Sequence, residues 1–309
     1  MARSTTFLID FLKYDIVWEV LVGIVMLTVL ALLITSFFKI RETQKAPRRG
    51  FMCLKFALFS TFVGTLLIWI YRLLYILKYL SVLNASQRGD RSAETGRRLT
   101  DWAFFFVRIG WIFIFATIAG VGLGILYSWQ DCHKLRGIVQ WVTYGFVSVA
   151  MIFDLVVLGT YESNTTDYYE QLRGDRSNFS SVGGNEIPQF QEVSIAFDFL
   201  LWVSALAATG FSVAVLLRAR KIGQHWQNAI LLLIASIMFL ICTTWGIASD
   251  ILWAIPRNVS QPTWTTVLSS ILYYVPPCIA LALLFAIGSR NHGGLWSTTS
   301  SQHGHKSFQ

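Results

Sequence analysis

Seven stretches of this chain are each apolar enough and long enough to cross the hydrocarbon core of a bilayer, a passage that takes about 20 residues of helix. They cover residues 16–38, 53–80, 102–127, 137–160, 193–217, 227–254 and 264–288. Each run is continuous rather than alternating in hydrophobicity, so the spans read as helices and not as strands of a membrane barrel. The first is longer than the apolar core of a secretory signal and has no small-residue cleavage site behind it, which makes it a retained anchor. Composition agrees, with 54% hydrophobic and only 14% charged residues, where soluble domains need roughly a quarter charged. The sequence therefore predicts an all-α membrane protein: a seven-transmembrane helix bundle over residues 1–289 and a short tail, 290–309, that is polar enough to be disordered.

The formal charge of +8 does not point to nucleic acid, because the Lys and Arg residues sit in short segments between apolar runs rather than on one folded face. They read instead as orientation signals. Lys39, Arg41, Lys45, Arg48 and Arg49 occupy the first connection, Lys134 and Arg136 the third, and Arg218, Arg220 and Lys221 the fifth. The positive-inside rule makes those loops cytoplasmic, which puts the amino terminus outside and the carboxyl terminus in the cytoplasm. The sequons at Asn84, Asn164, Asn178 and Asn258 all fall in the second, fourth and sixth connections, the side on which glycans are added. The second connection is mixed, since Asp90, Glu94 and Asp101 nearly cancel Arg88, Arg91, Arg97 and Arg98. Cys53 and Cys132 lie on the cytoplasmic side, and Cys242 and Cys278 lie inside helices, so no disulfide is expected outside. These signals predict a glycoprotein of the plasma membrane or another secretory-pathway membrane. Its partners are the lipid bilayer, a small-molecule or lipid ligand, and a cytoplasmic signalling partner at loops one, three and five.

Charges inside the runs carry the functional reading. Arg72 lies about 17 residues along the second helix, or roughly 25 Å at 1.5 Å per residue, in its outer third. Arg108, Asp154 and Asp198 reach a similar depth from the third, fourth and fifth helices, and Glu19 and Asp250 lie nearer the outer boundary. The inner halves of the helices are nearly free of charge. A charge near the bilayer centre costs about 2.5–3.5 kcal/mol on insertion scales, so such groups face the interior, pair, or line a wet cavity. Arg72, Tyr75, Arg108, Asp154, Asp198 and Tyr273 are accordingly candidates for a ligand site or for a buried ion-pair cluster. Glu19 and Asp250 are weaker candidates, close enough to the boundary to snorkel, and Lys78 reads as an interfacial anchor. On a helix, Thr65, Ile68, Trp69, Arg72, Tyr75, Ile76 and Tyr79 share one face, which offers Arg72 the rings of Trp69 and Tyr75 for cation–π contact.

Pro276 and Pro277 in the seventh helix remove two backbone donors and predict a kink, a candidate hinge that also frees carbonyls. Gly120-Val-Gly-Leu-Gly124 reads as a close helix contact. The five histidines lie outside the helices or at their edge, which argues against an intramembrane zinc hydrolase. No nucleophile elbow, aspartate-rich metal motif or phosphate loop appears, and the seventh helix has no lysine for a retinal Schiff base. No catalytic residue, metal or cofactor is assigned.

The layout resembles that of seven-helix receptors in its outer amino terminus, outer sequons, polar outer bundle, basic inner loops and short tail. The third helix ends in GILYSWQDC and the seventh carries Pro-Pro-Cys, so the resemblance is one of topology rather than of the rhodopsin-like motifs. Tyr71-Arg72 is similar to an aromatic-Arg pair of fungal lipid-translocating exporter-like proteins, although Ile68 and Tyr75 stand where that pattern has a further Arg and a Glu. The chain thus resembles fungal orphan seven-transmembrane receptor-like proteins. That resemblance implies a receptor with a polar ligand cavity in the outer half of the bundle. An ion- or proton-coupled carrier of small solutes or lipids is the alternative, and a membrane-embedded lipid or isoprenoid enzyme comes third.

Overall fold

A computed structural model of the chain describes residues 2–39, 48–82, 90–127, 133–174, 187–222, 225–254 and 264–289. Among the described residues every regular element is helical. These are α1 (Ala2–Lys39), α2 (Arg48–Val82), α3 (Asp90–Tyr127), α4 (His133–Gly174), α5 (Ile187–Ile222), α6 (Trp226–Ser249) with a π-helical turn at Asp250–Ala254, and α7 (Trp264–Ser289). All seven contain a segment long and apolar enough to cross a membrane. The chain is a multi-pass integral membrane protein built as a seven-helix bundle.

Helix is the only form these segments can take in hydrocarbon, because each backbone N–H and C=O must find its partner within the segment. Several hydroxyls inside the spans obey the same constraint, although the buried Thr61 hydroxyl has no hydrogen-bond partner. Thr28, Thr35, Ser36, Thr65 and Thr117 each donate to a carbonyl three or four residues earlier in their own helix, so none presents an orphan donor to lipid. The outward faces are apolar, with Leu27, Phe38, Phe56, Trp141, Ile152 and Leu217 among the exposed large side chains.

Consecutive helices are neighbours and α7 closes the ring against α1. Within that ring α3 also touches α5, α6 and α7. It is the central helix: 78% of its most apolar segment is buried, against 28% for α4 and 33% for α1 and α5. Successive helices run in opposite directions, since Asp15 near the start of α1 meets Arg72 near the end of α2, and the start of α2 at Gly50 meets Gly120 near the end of α3. Lipid gives apolar helices no hydrophobic reason to associate, so close packing has to do it. A Cβ on Gly120 would stand 2.8 Å from the Gly50 Cα. Gly120 therefore makes the close contact expected of it, with α2.

The helices extend past the apolar runs, because polar turns in water continue a helix already nucleated by its membrane segment. α3 begins at Asp90 rather than near 102, α5 at Ile187 rather than near 193, and α4 continues through Gly174 rather than ending near 160. Asn164, expected in a connecting loop, is consequently a residue of α4. Asn84, Asn178, Asn258, Arg41, Lys45, Cys132 and the tail lie outside the described residues.

Candidate buried polar layer

The end of the bundle at which α1 begins holds nearly all of its buried charge, in two clusters and a polar seam. The first cluster joins α1, α2 and α7. Asp15, Trp18 and Glu19 share one face of α1 by their three- and four-residue spacing, and all three are buried. Arg72 reaches them from α2, with Nη1 3.4 Å from Asp15 Oδ1 and its guanidinium 4.8 Å from the Trp18 ring centroid. Both Glu19 oxygens are enclosed and accept no hydrogen bond.

Arg72 thus finds the ion pair and the aromatic contact expected for it, but with different residues. The ring is Trp18 of α1 rather than Trp69 or Tyr75, because the inward arc of α2 at this depth is occupied by Thr65 and Ile68. Trp69 packs on Gly23 of α1. Tyr75 turns outward, 40% exposed, with its ring 6.4 Å from that of Tyr71. Asp15 was not among the candidates, since it lies one residue before the apolar run that begins at 16. Its position relative to Trp18 and Glu19 was the signal.

The second cluster gathers residues of five helices around Arg108 of α3. Its Nη2 donates to Ser194 Oγ of α5 at 2.6 Å, its Nη1 lies 4.0 Å from Asp154 Oδ1 of α4, and its guanidinium is 5.3 Å from the Phe197 ring centroid. Asp198, one turn on from Ser194, acts on the same guanidinium. Asp250, the residue at which α6 passes into its π-helical turn, is a near neighbour of Asp198. Asp154 is 1% exposed, and neither of its oxygens accepts a hydrogen bond. Tyr273 of α7 faces Asp198, Asp250, Cys242 and Arg108. Arg108, Asp154, Asp198, Asp250 and Tyr273 are therefore neighbours, whereas Arg72 and Glu19 belong to the first cluster.

Aromatic rings of α7 stand between the two clusters. Trp18 meets Tyr274 edge-on with centroids 6.2 Å apart, Tyr274 adjoins Tyr273 at 6.3 Å, and Tyr273 lies 5.2 Å from Trp111 of α3. The prolines of α7 shape this junction. An α-helical carbonyl accepts from the residue four positions later, and for Tyr273 that residue is Pro277, which has no N–H to give. The carbonyl oxygen of Tyr273 instead accepts the thiol of Cys242, 3.4 Å away on α6. Both prolines lie inside a helix that is continuous from Trp264 to Ser289.

The polar seam joins the extended ends of α3 and α4. Arg98 contacts Glu162 and Glu94 at 3.1 Å each and donates to Thr166 Oγ1. Trp102 Nε1 donates to Glu162 Oε1 at 2.9 Å, and Thr165 Oγ1 donates to Asp101 Oδ2 at 3.3 Å. Trp102 apart, the residues of this seam lie beyond the apolar runs, in stretches whose sequence reads as connections and gives no register to link them.

Three carboxyls around one guanidinium, walled by Phe197, Trp111 and Tyr273, can hold positive charge, accept hydrogen bonds and move protons. Among the described residues no group of three or more His, Cys, Asp or Glu side chains is arranged to hold a metal ion. Compared with protein families, with curated proteins and with solved structures, the chain matches none of them.

Proposed function

We propose that the protein is a receptor-like integral membrane protein whose ligand site is the polar layer at the amino-terminal end of the bundle. One observation carries this reading. The described buried residues of the opposite half include Ser36, Thr117, Thr143, Ser212, Asn228 and Ser236 but no Asp, Glu, Lys or Arg. A carrier that alternates access needs polar groups along its whole path and places its site near the midplane. A receptor needs only a site at one end and a packed body to relay the response.

In this reading the amino terminus faces outward, the membrane is the plasma membrane or another of the secretory pathway, and the sequons lie on the ligand side. The resemblance to fungal orphan seven-helix receptor-like proteins supports the same assignment. The ligand is a small molecule or lipid. Arg108 is already engaged by Ser194 and Asp154, so it positions the acids of the site, and Asp154 and Asp198 set its charge. The basic residues at the far end, Lys39, Arg218, Arg220 and Lys221 among them, face a cytoplasmic signalling partner.

Asp154→Asn keeps side-chain size and is expected to weaken ligand-evoked signalling in cells while the protein reaches the surface. Purified protein in liposomes is expected to carry no solute. Solute uptake that Asp154→Asn abolishes would overturn the receptor reading in favour of a carrier. Conversion of a membrane lipid or isoprenoid lost in the same variant would instead make the protein an enzyme.

A further inference from the structure

A lysine ammonium carries three donors and no acceptor, and one set inside a membrane span needs an acid, a wet cavity or the headgroup region to meet them. Arg72 and Arg108 have their acids at the amino-terminal end of the bundle. Lys55 of α2, at the opposite end, has none. It stands about 7.5 Å, at 1.5 Å per residue, inside the apolar segment that begins at Gly50. Its side chain crosses to α1, where Nζ lies 5.2 Å from the centroid of the Phe37 ring. The ring offers the ammonium its face but no acceptor atom. Among the described residues Lys55 takes part in no hydrogen bond or ion pair.

The surface around Lys55 faces out of the bundle and is apolar. Phe37 of α1 is exposed, and so are Met52, Phe56 and Phe59, the helical neighbours of Lys55 on α2. Phe56 is held in place by stacking on Phe113 of α3, with centroids 5.5 Å apart. Lipid chains are the medium that suits such a surface, and a cation set among them is complementary to a molecule that is both anionic and apolar. The electrostatic field at this end has one sign. The described residues 31–39, 48–57, 117–127, 133–143, 212–222, 225–236 and 280–289 include Lys39, Lys55, Arg218, Arg220 and Lys221 but no Asp or Glu. By sequence the first connection adds Arg41, Lys45, Arg48 and Arg49 against Glu42 alone.

We propose that the notch between α1 and α2 at Phe37 and Lys55 is a binding site for an anionic phospholipid. The Lys55 ammonium donates to the headgroup phosphate, and the acyl chains lie along Phe37, Met52, Phe56 and Phe59. A lysine meets phosphate as a point charge rather than as a shaped fork, so the site selects net charge and not headgroup shape. Phosphatidylcholine also carries a phosphate, but its own cation is repelled by the basic residues of this end. Occupied, the notch ties α1 to α2 at the end of the pair opposite the Asp15–Arg72 bridge. The site does not rest on the receptor reading, since lipid fills it whatever the polar layer binds.

The test is native mass spectrometry of the purified full-length protein titrated with phosphatidylglycerol and with phosphatidylcholine of the same chains. The wild type is expected to hold phosphatidylglycerol the more tightly. Lys55→Gln should lower that affinity about fivefold, the contribution of one basic side chain near an anionic membrane surface, and Lys55→Arg should keep it. An unchanged melting temperature in phosphatidylcholine nanodiscs shows that Lys55→Gln folds. Arg220→Gln removes the same charge from α5, away from the notch, and should leave the affinity as it is. Equal binding of the two lipids, or an undiminished affinity in Lys55→Gln, would overturn the site. Equal losses in Lys55→Gln and Arg220→Gln would overturn it by reducing it to diffuse surface charge. Glycerol phosphate, which has the anion without the chains, should not compete, and competition would make the ligand a soluble phosphate instead. A dimer that Lys55→Gln dissociates would overturn the proposal by making a second copy of the chain the occupant.

Discussion

The two ends of this bundle solve the problem of burial in opposite ways. At the amino-terminal end Arg72, Arg108 and their acids reach across six helices for partners, and several oxygens are left without one. At the other end, Asn228 apart, the buried polar groups named above are hydroxyls, and Ser36, Thr117, Thr143 and Ser212 satisfy theirs within their own helix. There the helices are held by close approach, with Gly50 against Gly120 and Gly288 against Phe51. Contacts that join helices by charge depend on every partner being present, whereas hydroxyls bonded to their own backbone can be deleted one at a time. Protein that serves only to stay folded resembles the second end. The cost of retaining the first is what supports the proposal that a functional site lies there.

Substitutions that treat the two ends alike sharpen this contrast. The largest effect is expected from Arg108→Leu, which leaves Asp154, Asp198 and Asp250 without their shared cation. Removing one partner of a buried charge group costs about 3–5 kcal/mol, to be read as a fall in melting temperature of purified protein and as loss of surface expression. Next comes Gly120→Ala, where a methyl would be forced against the Gly50 backbone; overpacking of this kind costs about 1–3 kcal/mol, read in the same melting assay. Arg72→Ala should cost about 1 kcal/mol, since its side chain is 30% exposed and solvent screens both its ion pair and its cation–π contact. The smallest effect is expected from Thr117→Val, whose hydroxyl serves only its own helix, with a change within about 0.5 kcal/mol. If Thr117→Val proved as damaging as Arg108→Leu, the contrast between the ends would not hold.

Apolar run length was enough to show the seven helices, because a membrane leaves a segment of that length no other backbone solution. Helix ends were less legible: α3 and α4 continue into water through residues such as Glu94, Arg98 and Glu162, where hydropathy falls silent. The depth of Arg108, Asp154 and Asp198 could be read by counting 1.5 Å per residue, whereas the same count set Asp250, their neighbour in the structure, nearer the outer boundary. It could not show which members of the layer touch, since partnership depends on how each helix is rotated about its axis. Hence Arg72 was grouped with Arg108 when it belongs to Asp15 and Trp18. Tyr75 was given an inward role that its place on the outer arc of α2 denies. The donation of the Cys242 thiol to the Tyr273 carbonyl was half legible, for the sequence names the carbonyl that Pro277 frees but not the side chain that takes it.

The central claim is that the polar layer opens at one end only, above a dry body. Single cysteines placed in a cysteine-depleted background and labelled with a membrane-impermeant thiol reagent from either side test it most directly. Ser194→Cys, in the polar layer, should react from the amino-terminal side alone. Ala208→Cys and Leu281→Cys, buried in the opposite half, should react from neither side, with or without candidate ligands. Labelling of Ala208→Cys or Leu281→Cys from the carboxyl-terminal side would reveal a wet path through the body and contradict the account.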